Sequence, residues 1–121
     1  MANLFVYGTL KKGFSRHHYL ASARFVGVAT MRGVLYDLRE YPGAMLSDEG
    51  EVRGELYELN NAAFGKLDIV EGIDQNNPDQ GQFVRRLTEV QLTDKSVMRA
   101  WVYLLSTKPA NARVIDDGNF H

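Results

Sequence analysis

Asn61-Ala62-Ala63-Phe64-Gly65-Lys66-Leu67-Asp68-Ile69-Val70-Glu71-Gly72 is the one convincing helix in this chain, and its isolation among strand-like segments decides the fold class. At about 100° per residue, Phe64 and Leu67 share a face and Glu71 falls between them. Asn60 or Asn61 can cap the start, and Gly72 can take the left-handed position beyond the end. Gly65 weakens the helix and Ile69 points away from the stripe, so the apolar face is imperfect.

Outward from the helix, the chain reads as strands and turns. Leu4-Phe5-Val6-Tyr7 is a short apolar run stopped by Gly8, and its β-branched and aromatic content favours a buried first strand. Lys11 to Ser15 is a loop, and His17-His18-Tyr19-Leu20-Ala21 can form one or two helical turns. Residues 24–29 and 33–38 read as two strands separated by a bend near residues 30–32, followed by a turn at Tyr41-Pro42-Gly43. In the next strand Val52, Gly54, Leu56 and Glu58 oppose Arg53, Glu55, Tyr57 and Leu59, so neither face is plainly solvent. Residues 72–82, rich in Asp, Asn, Gln and Gly, predict an exposed and mobile loop. Residues 83–92 and 100–105 form a hairpin across Thr93-Asp94-Lys95-Ser96. About six strands with one main helix, in no regular alternation, predict an α+β domain or a small mixed β-barrel carrying helices, and argue against a doubly wound sheet.

With 121 residues, 45% of them hydrophobic, the chain has the size of one domain, spanning 1–121 with a single core. Fourteen basic against fifteen acidic residues supply no footprint for nucleic acid or an anionic membrane. The absence of cysteine excludes disulfides, thiolate catalysis and cysteine-ligated zinc. The N-terminus resembles neither a signal peptide nor a membrane span, which makes a soluble, cytoplasmic protein the default. Oligomeric state is left open.

Glu71 is the candidate for chemistry. A carboxyl group partly desolvated on the apolar side, at the negative end of a helix dipole, is pushed toward its protonated form and so toward acid/base work. A glutamate on the rim of the helix, with its carboxylate in water, fits the same wheel. Asp68 diverges modestly from Glu71 and is expected to be exposed. Gly8-Thr9-Leu10-Lys11-Lys12-Gly13 invites comparison with a phosphate-binding loop, but Phe14 and Ser15 stand where Lys and Ser or Thr are required. What survives is a glycine after a buried strand, which either presents backbone groups to a ligand or merely ends the strand. His17 and His18 project differently and have no ligand spacing around them, so no metal is expected. No serine sits in a nucleophile elbow. Of Arg85 and Arg86 one should face inward, where Glu71 or a substrate carboxylate would pair with it; a solvated pair fits equally. Tyr57, Trp101 and Tyr103 suit core or pocket packing, and a tyrosine hydroxyl reaching a cavity would suit an amide.

In this order the pieces resemble the γ-glutamyl cyclotransferase-like family, including its small bacterial γ-glutamylamine cyclotransferase-like members. The resemblance rests on Val6-Tyr7-Gly8-Thr9-Leu10, Lys11-x-Gly13, Gly54-Glu55-Leu56-Tyr57, Leu67-Asp68-x-x-Glu71-Gly72 and Phe83-Val84-Arg85, spread over residues 3–105. Ile115-Asp116-Asp117-Gly118-Asn119-Phe120 is similar to the tail of some bacterial members. The resemblance implies a small mixed barrel whose first strand and following loop wall a cavity containing a glutamate. It implies cleavage of a γ-glutamyl amide by its own α-amine, giving 5-oxoproline and a free amine without a cofactor. By position, Glu71 is then the acid/base, and Tyr7, Gly8, Thr9 and Leu10 bind substrate, largely through backbone groups. Arg85 and Tyr103 are further candidates for substrate contact.

Phe83 departs from the tyrosine of many relatives, which removes a hydroxyl from the site. The loop at 73–82 and the C-terminal tail are the segments expected to cover the leaving group. A non-catalytic small-molecule binding module of the same fold is the competing reading. An OB-like nucleic-acid-binding barrel fits the strand count but not the charge balance.

Overall fold

A computed structural model describes residues 1–73 and 76–121, and its strands are β1 (Ala2–Val6), β2 (Arg24–Asp37), β3 (Pro42–Leu59), β4 (Phe83–Leu92), β5 (Val97–Leu105) and β6 (Arg113–Val114). A 3₁₀ turn (His17–Leu20) precedes β2, and helix α1 (Asn61–Val70) joins β3 to β4. The strands run β3-β1-β5-β4-β2, and β2 pairs back onto β3 to close a five-stranded barrel with β6 added along β2. The barrel is mixed: β1 meets β5 in parallel at Leu4↔Trp101, and the remaining pairs are antiparallel.

Several expected boundaries shift, and the strand expected from Val52 already begins at Pro42. The segments 24–29 and 33–38 are one strand, because the irregularity near residue 32 is a change of register and not a bend. The pairing passes from Arg32↔Glu51 to Gly33↔Leu46, so residues 47–50 bulge out of β3 while β2 continues. A β-carbon on Gly33 would lie 2.5 Å from the Met45 carbonyl oxygen, which explains a glycine at this close approach. The turn expected at Tyr41-Pro42-Gly43 lies earlier: the Leu38 N–H donates to the Tyr41 carbonyl at 3.1 Å, with Arg39 left-handed at φ 82°. Pro42 opens β3, a position where its missing N–H costs no ladder bond. β5 starts at Val97 and not at Ala100. The loop expected over 72–82 includes residues 74 and 75, which lie outside the described residues.

Strand alternation divides the apolar side chains into two layers. Phe5, Leu56, Val90, Val102 and Leu104 belong to the layer that fills the barrel, together with Tyr7. Leu4, Val6, Tyr57, Leu59, Phe83, Tyr103 and Leu105 form a second layer with Phe64 and Leu67 of α1. β1 is buried on both faces, as its unbroken apolar run predicts. A β-carbon on Gly54 would stand 2.3 Å from the Val6 carbonyl oxygen and against the Phe5 ring, so the glycine lets β1 and β3 close around Phe5.

The cap of α1 is Asn60, whose side chain accepts from the Ala63 N–H at 2.9 Å. At the other end Gly72 adopts φ 76° and Ile73 N–H donates to the Asp68 carbonyl at 2.8 Å, a left-handed stop of the kind expected. Phe64 and Leu67 are buried and Ile69 is 73% exposed. Burying each of the two apolar anchors contributes roughly 1.5–3 kcal/mol, which holds the helix against the outside of the barrel.

Candidate active site

A cavity of about 160 Å³ opens where the end of β1, the start of β3, the start of β4 and the end of α1 converge. Tyr7, Gly8, Thr9 and Leu10 form one wall, Val70 and Glu71 another, and Tyr41, Pro42, Gln82, Phe83 and Tyr103 the remainder, with Arg16 beside them. The four loop positions, Glu71 and Tyr103 therefore border one space.

Glu71 is the residue at which the helix stops. Its N–H still donates to the Leu67 carbonyl at 2.8 Å, and Gly72 then turns the chain away. The carboxyl group is left at the cavity wall, and burial raises its pKa above the usual glutamate value, with the Arg16 cation opposing the shift. The negative end of the helix acts in the same direction as burial.

The loop presents donors. The Gly8 carbonyl accepts from Lys11 N–H at 3.0 Å, the Thr9 carbonyl accepts from Arg16 N–H at 2.9 Å, and His17 Nδ1 lies 2.9 Å from the Leu10 carbonyl. No described residue accepts a hydrogen bond from the N–H of Gly8, Thr9 or Leu10. Carbonyls thus hold the loop in shape while its N–H groups stay available to an anion or a carbonyl oxygen. Lys11 braces the loop from behind: its buried ammonium donates to Asn119 Oδ1 at 2.9 Å and to the Phe120 carbonyl at 2.8 Å. The tail expected to cover a leaving group is instead spent on Lys11, and neither Asn119 nor Phe120 lines the cavity.

The tyrosine hydroxyls are already engaged. Tyr7 donates to the Tyr103 carbonyl at 2.6 Å and accepts from the Ala44 N–H at 3.1 Å. Tyr103 donates to Asp68 Oδ1 at 2.7 Å. Burial is the main reason that both phenols are held well above the usual tyrosine range. What these two residues offer the cavity is ring surface and position. Phe83 is buried beside them with no hydroxyl to add.

Asp68 corrects the expectation of an exposed carboxylate: it is 7% exposed, bonded to Tyr103 and 3.5 Å from Arg85 Nε. Helical spacing places it one turn after Phe64 and on that residue's side of the helix, and the sequence holds no sign of its hydrogen-bond partner, which lies on β5. Arg85 is the half-buried member of the arginine pair and Arg86 the exposed one. Its partner is Asp68 and not Glu71, and its guanidinium lies 4.9 Å from both the Phe64 and Trp101 rings. Arg85 is not among the residues lining the cavity. Arg16, Tyr41 and Gln82 do line it and were not singled out from the sequence. For Arg16 the one available signal was a cation in the loop that follows the Gly8 segment. Tyr41 and Gln82, joined by a 2.9 Å hydrogen bond, gave none.

A roomier cleft of about 420 Å³ lies toward the far end of β4, lined in part by Arg32, Asp48, Glu51 and Glu89. Those charged side chains are all exposed, so the desolvated acid and the unsatisfied donors distinguish the smaller cavity.

The same architecture occurs in known proteins. The E. coli K12 γ-glutamylcyclotransferase family protein YtfP is 27% identical over 118 residues, covering 97% of this chain and 94% of that protein. The γ-L-glutamyl-butirosin B γ-glutamyl cyclotransferase of Niallia circulans is 38% identical over 73 residues, which is 59% of this chain and 46% of that enzyme. The crystal structure of an AIG2-like protein from Mus musculus superposes with a TM-score of 0.76 at 27% identity, covering 91% of this chain and 80% of the mouse chain. Residues 4–121 match the family model described as γ-glutamyl cyclotransferase, AIG2-like, and the chain belongs to that family.

Proposed function

We propose that this protein cleaves a γ-glutamyl amide by intramolecular cyclisation, with Glu71 as the proton shuttle. The observation that carries the reading is a carboxyl group of raised pKa sharing one small cavity with a loop whose N–H groups have no partner among the described residues. The substrate's α-amine is mostly protonated at neutral pH and must lose a proton before it can attack. Its nitrogen then bonds to the γ-carbonyl carbon and sheds a second proton, the bond from that carbon to the leaving nitrogen breaks, and the protons given up by the attacking nitrogen pass by way of Glu71 to the departing amine. The products are 5-oxoproline and a free amine. Because nucleophile and electrophile belong to one molecule, the protein has only to hold the glutamyl group folded and manage the proton. The N–H groups of Gly8, Thr9 and Leu10 are the donors for the α-carboxylate or the developing oxyanion, and Tyr7 and Tyr103 shape the wall.

The test is 5-oxoproline release from a panel of γ-glutamyl amides. Glu71→Gln should lower kcat by about 10²–10⁴-fold, the usual contribution of acid/base catalysis, with an unchanged circular dichroism spectrum. A purified protein inert across the panel, but stabilised thermally by a γ-glutamyl compound to the same extent in Glu71→Gln, would identify a binding module instead.

A further inference from the structure

Arg16 lines the cavity with an exposed side chain and forms no ion pair with a described residue. Its backbone is fixed: the N–H donates to the Thr9 carbonyl at 2.9 Å, and the carbonyl accepts from the Tyr19 N–H at 3.1 Å. The root of the side chain is therefore tied to the loop that carries the free donors. The other nearby cations are committed elsewhere, Lys11 to Asn119 and Phe120 and Arg85 to Asp68. Resting on the cyclisation reading, the reacting carbonyl must lie within reach of Glu71, with the glutamyl head against the loop N–H groups. The leaving amine then occupies the remainder of the same cavity, whose lining includes the solvent-exposed Arg16. A guanidinium there matches a carboxylate in charge and in two-pronged geometry.

We propose that Arg16 is a specificity-determining residue that favours γ-glutamyl amides whose leaving amine carries a carboxylate, as in γ-glutamyl amino acids and peptides, over amides of plain amines. The test uses γ-glutamyl-alanine and γ-glutamyl-ethylamine, which differ only by that carboxylate. The wild-type protein should favour γ-glutamyl-alanine in kcat/KM by about tenfold or more, the worth of one charge-assisted hydrogen bond. Arg16→Gln should bring the ratio close to one, and Arg16→Lys should restore part of it. Any influence of the Arg16 charge on Glu71 acts on both substrates and cancels in the ratio. Arg16→Glu should reverse the preference toward γ-glutamyl-1,4-diaminobutane, whose leaving amine is cationic. Equal turnover of the matched pair by wild-type protein, or a ratio that survives Arg16→Gln, overturns the assignment while leaving the cyclisation reading in place. If wild-type protein releases 5-oxoproline from neither compound nor from the rest of the panel, the cyclisation reading fails and the role of Arg16 falls with it.

Discussion

The inside of the barrel and the layer packed on its outside are both buried, yet they are built from different chemistry. Inside, Phe5, Leu56, Val90, Val102 and Leu104 pack in one hydrophobic cluster, and the hydroxyl of Tyr7 is satisfied by backbone groups. Outside, the apolar anchors of α1 share their layer with Asp68, Tyr103 and Arg85, and that layer borders the cavity holding Glu71. Within the last turn of α1 the two acids divide the roles. Asp68 is engaged by Tyr103 and Arg85 and ties the helix to β5, whereas Glu71 is left at the wall with no ion pair among the described residues. An interior can be closed by packing alone, while a site needs a layer in which some polar groups are satisfied so that others can be left over.

The largest expected effect tests the interior. Leu56→Ala removes a fully buried side chain and should cost about 2–5 kcal/mol in chemical denaturation, with kcat/KM retained in the folded protein. Loss of substrate affinity in a variant of undiminished stability would break the division between the layers. Next comes the outer network. Tyr103→Phe leaves Asp68 short of one donor, and unfolding experiments should show a loss of about 1–3 kcal/mol. A neutral result would mean that water or Arg85 takes over the carboxylate. Asn60→Ala, which removes the cap of α1, should cost about 1 kcal/mol and loosen the turn that presents Glu71. Hydrogen exchange confined to α1 is the readout.

The smallest effect in energy carries the most specific sign. Folding raises the Glu71 pKa above the usual 4.5, so the native chain binds more protons than the unfolded one in the window just above that value. Stability contributed by the protonated group is complete below 4.5 and is lost as pH rises through the folded-state value. Glu71→Gln cannot ionise, so it should melt at a higher temperature than wild type at neutral pH, and the gap should close as pH falls below 4.5. A gap that widens toward acid would show that Glu71 is stabilised in its charged form, and would remove the physical basis for its role as a shuttle.

Much of this was legible in sequence where the signal is local. The apolar run before Gly8, the Asn60 cap, the Gly72 stop and the hairpin across residues 93–96 each depend on neighbours a few residues apart, and each stands where expected. The bulge at 47–50 was not legible, because it depends on how two strands register against each other. Nor was the burial of Asp68, whose hydrogen-bond partner is 35 residues away, so a carboxylate on an imperfect helix looked solvated. Arg16 escaped for the same reason: its relation to Glu71 exists only once the barrel has closed.

The parallel pairing of Leu4 with Trp101 also constrains the order of folding. The β2–β3 and β4–β5 hairpins can zip from their own turns, but β1 must insert between β3 and β5, closing a long loop of chain whose entropy cost is met late. Leu4→Ala should therefore accelerate unfolding and leave the folding rate nearly unchanged, while destabilising changes in the β2–β3 hairpin slow folding. Since the Gly8 loop is the continuation of β1, the cavity wall is expected to be completed in the step that seals the barrel, so that a chain able to bind substrate is already a finished one.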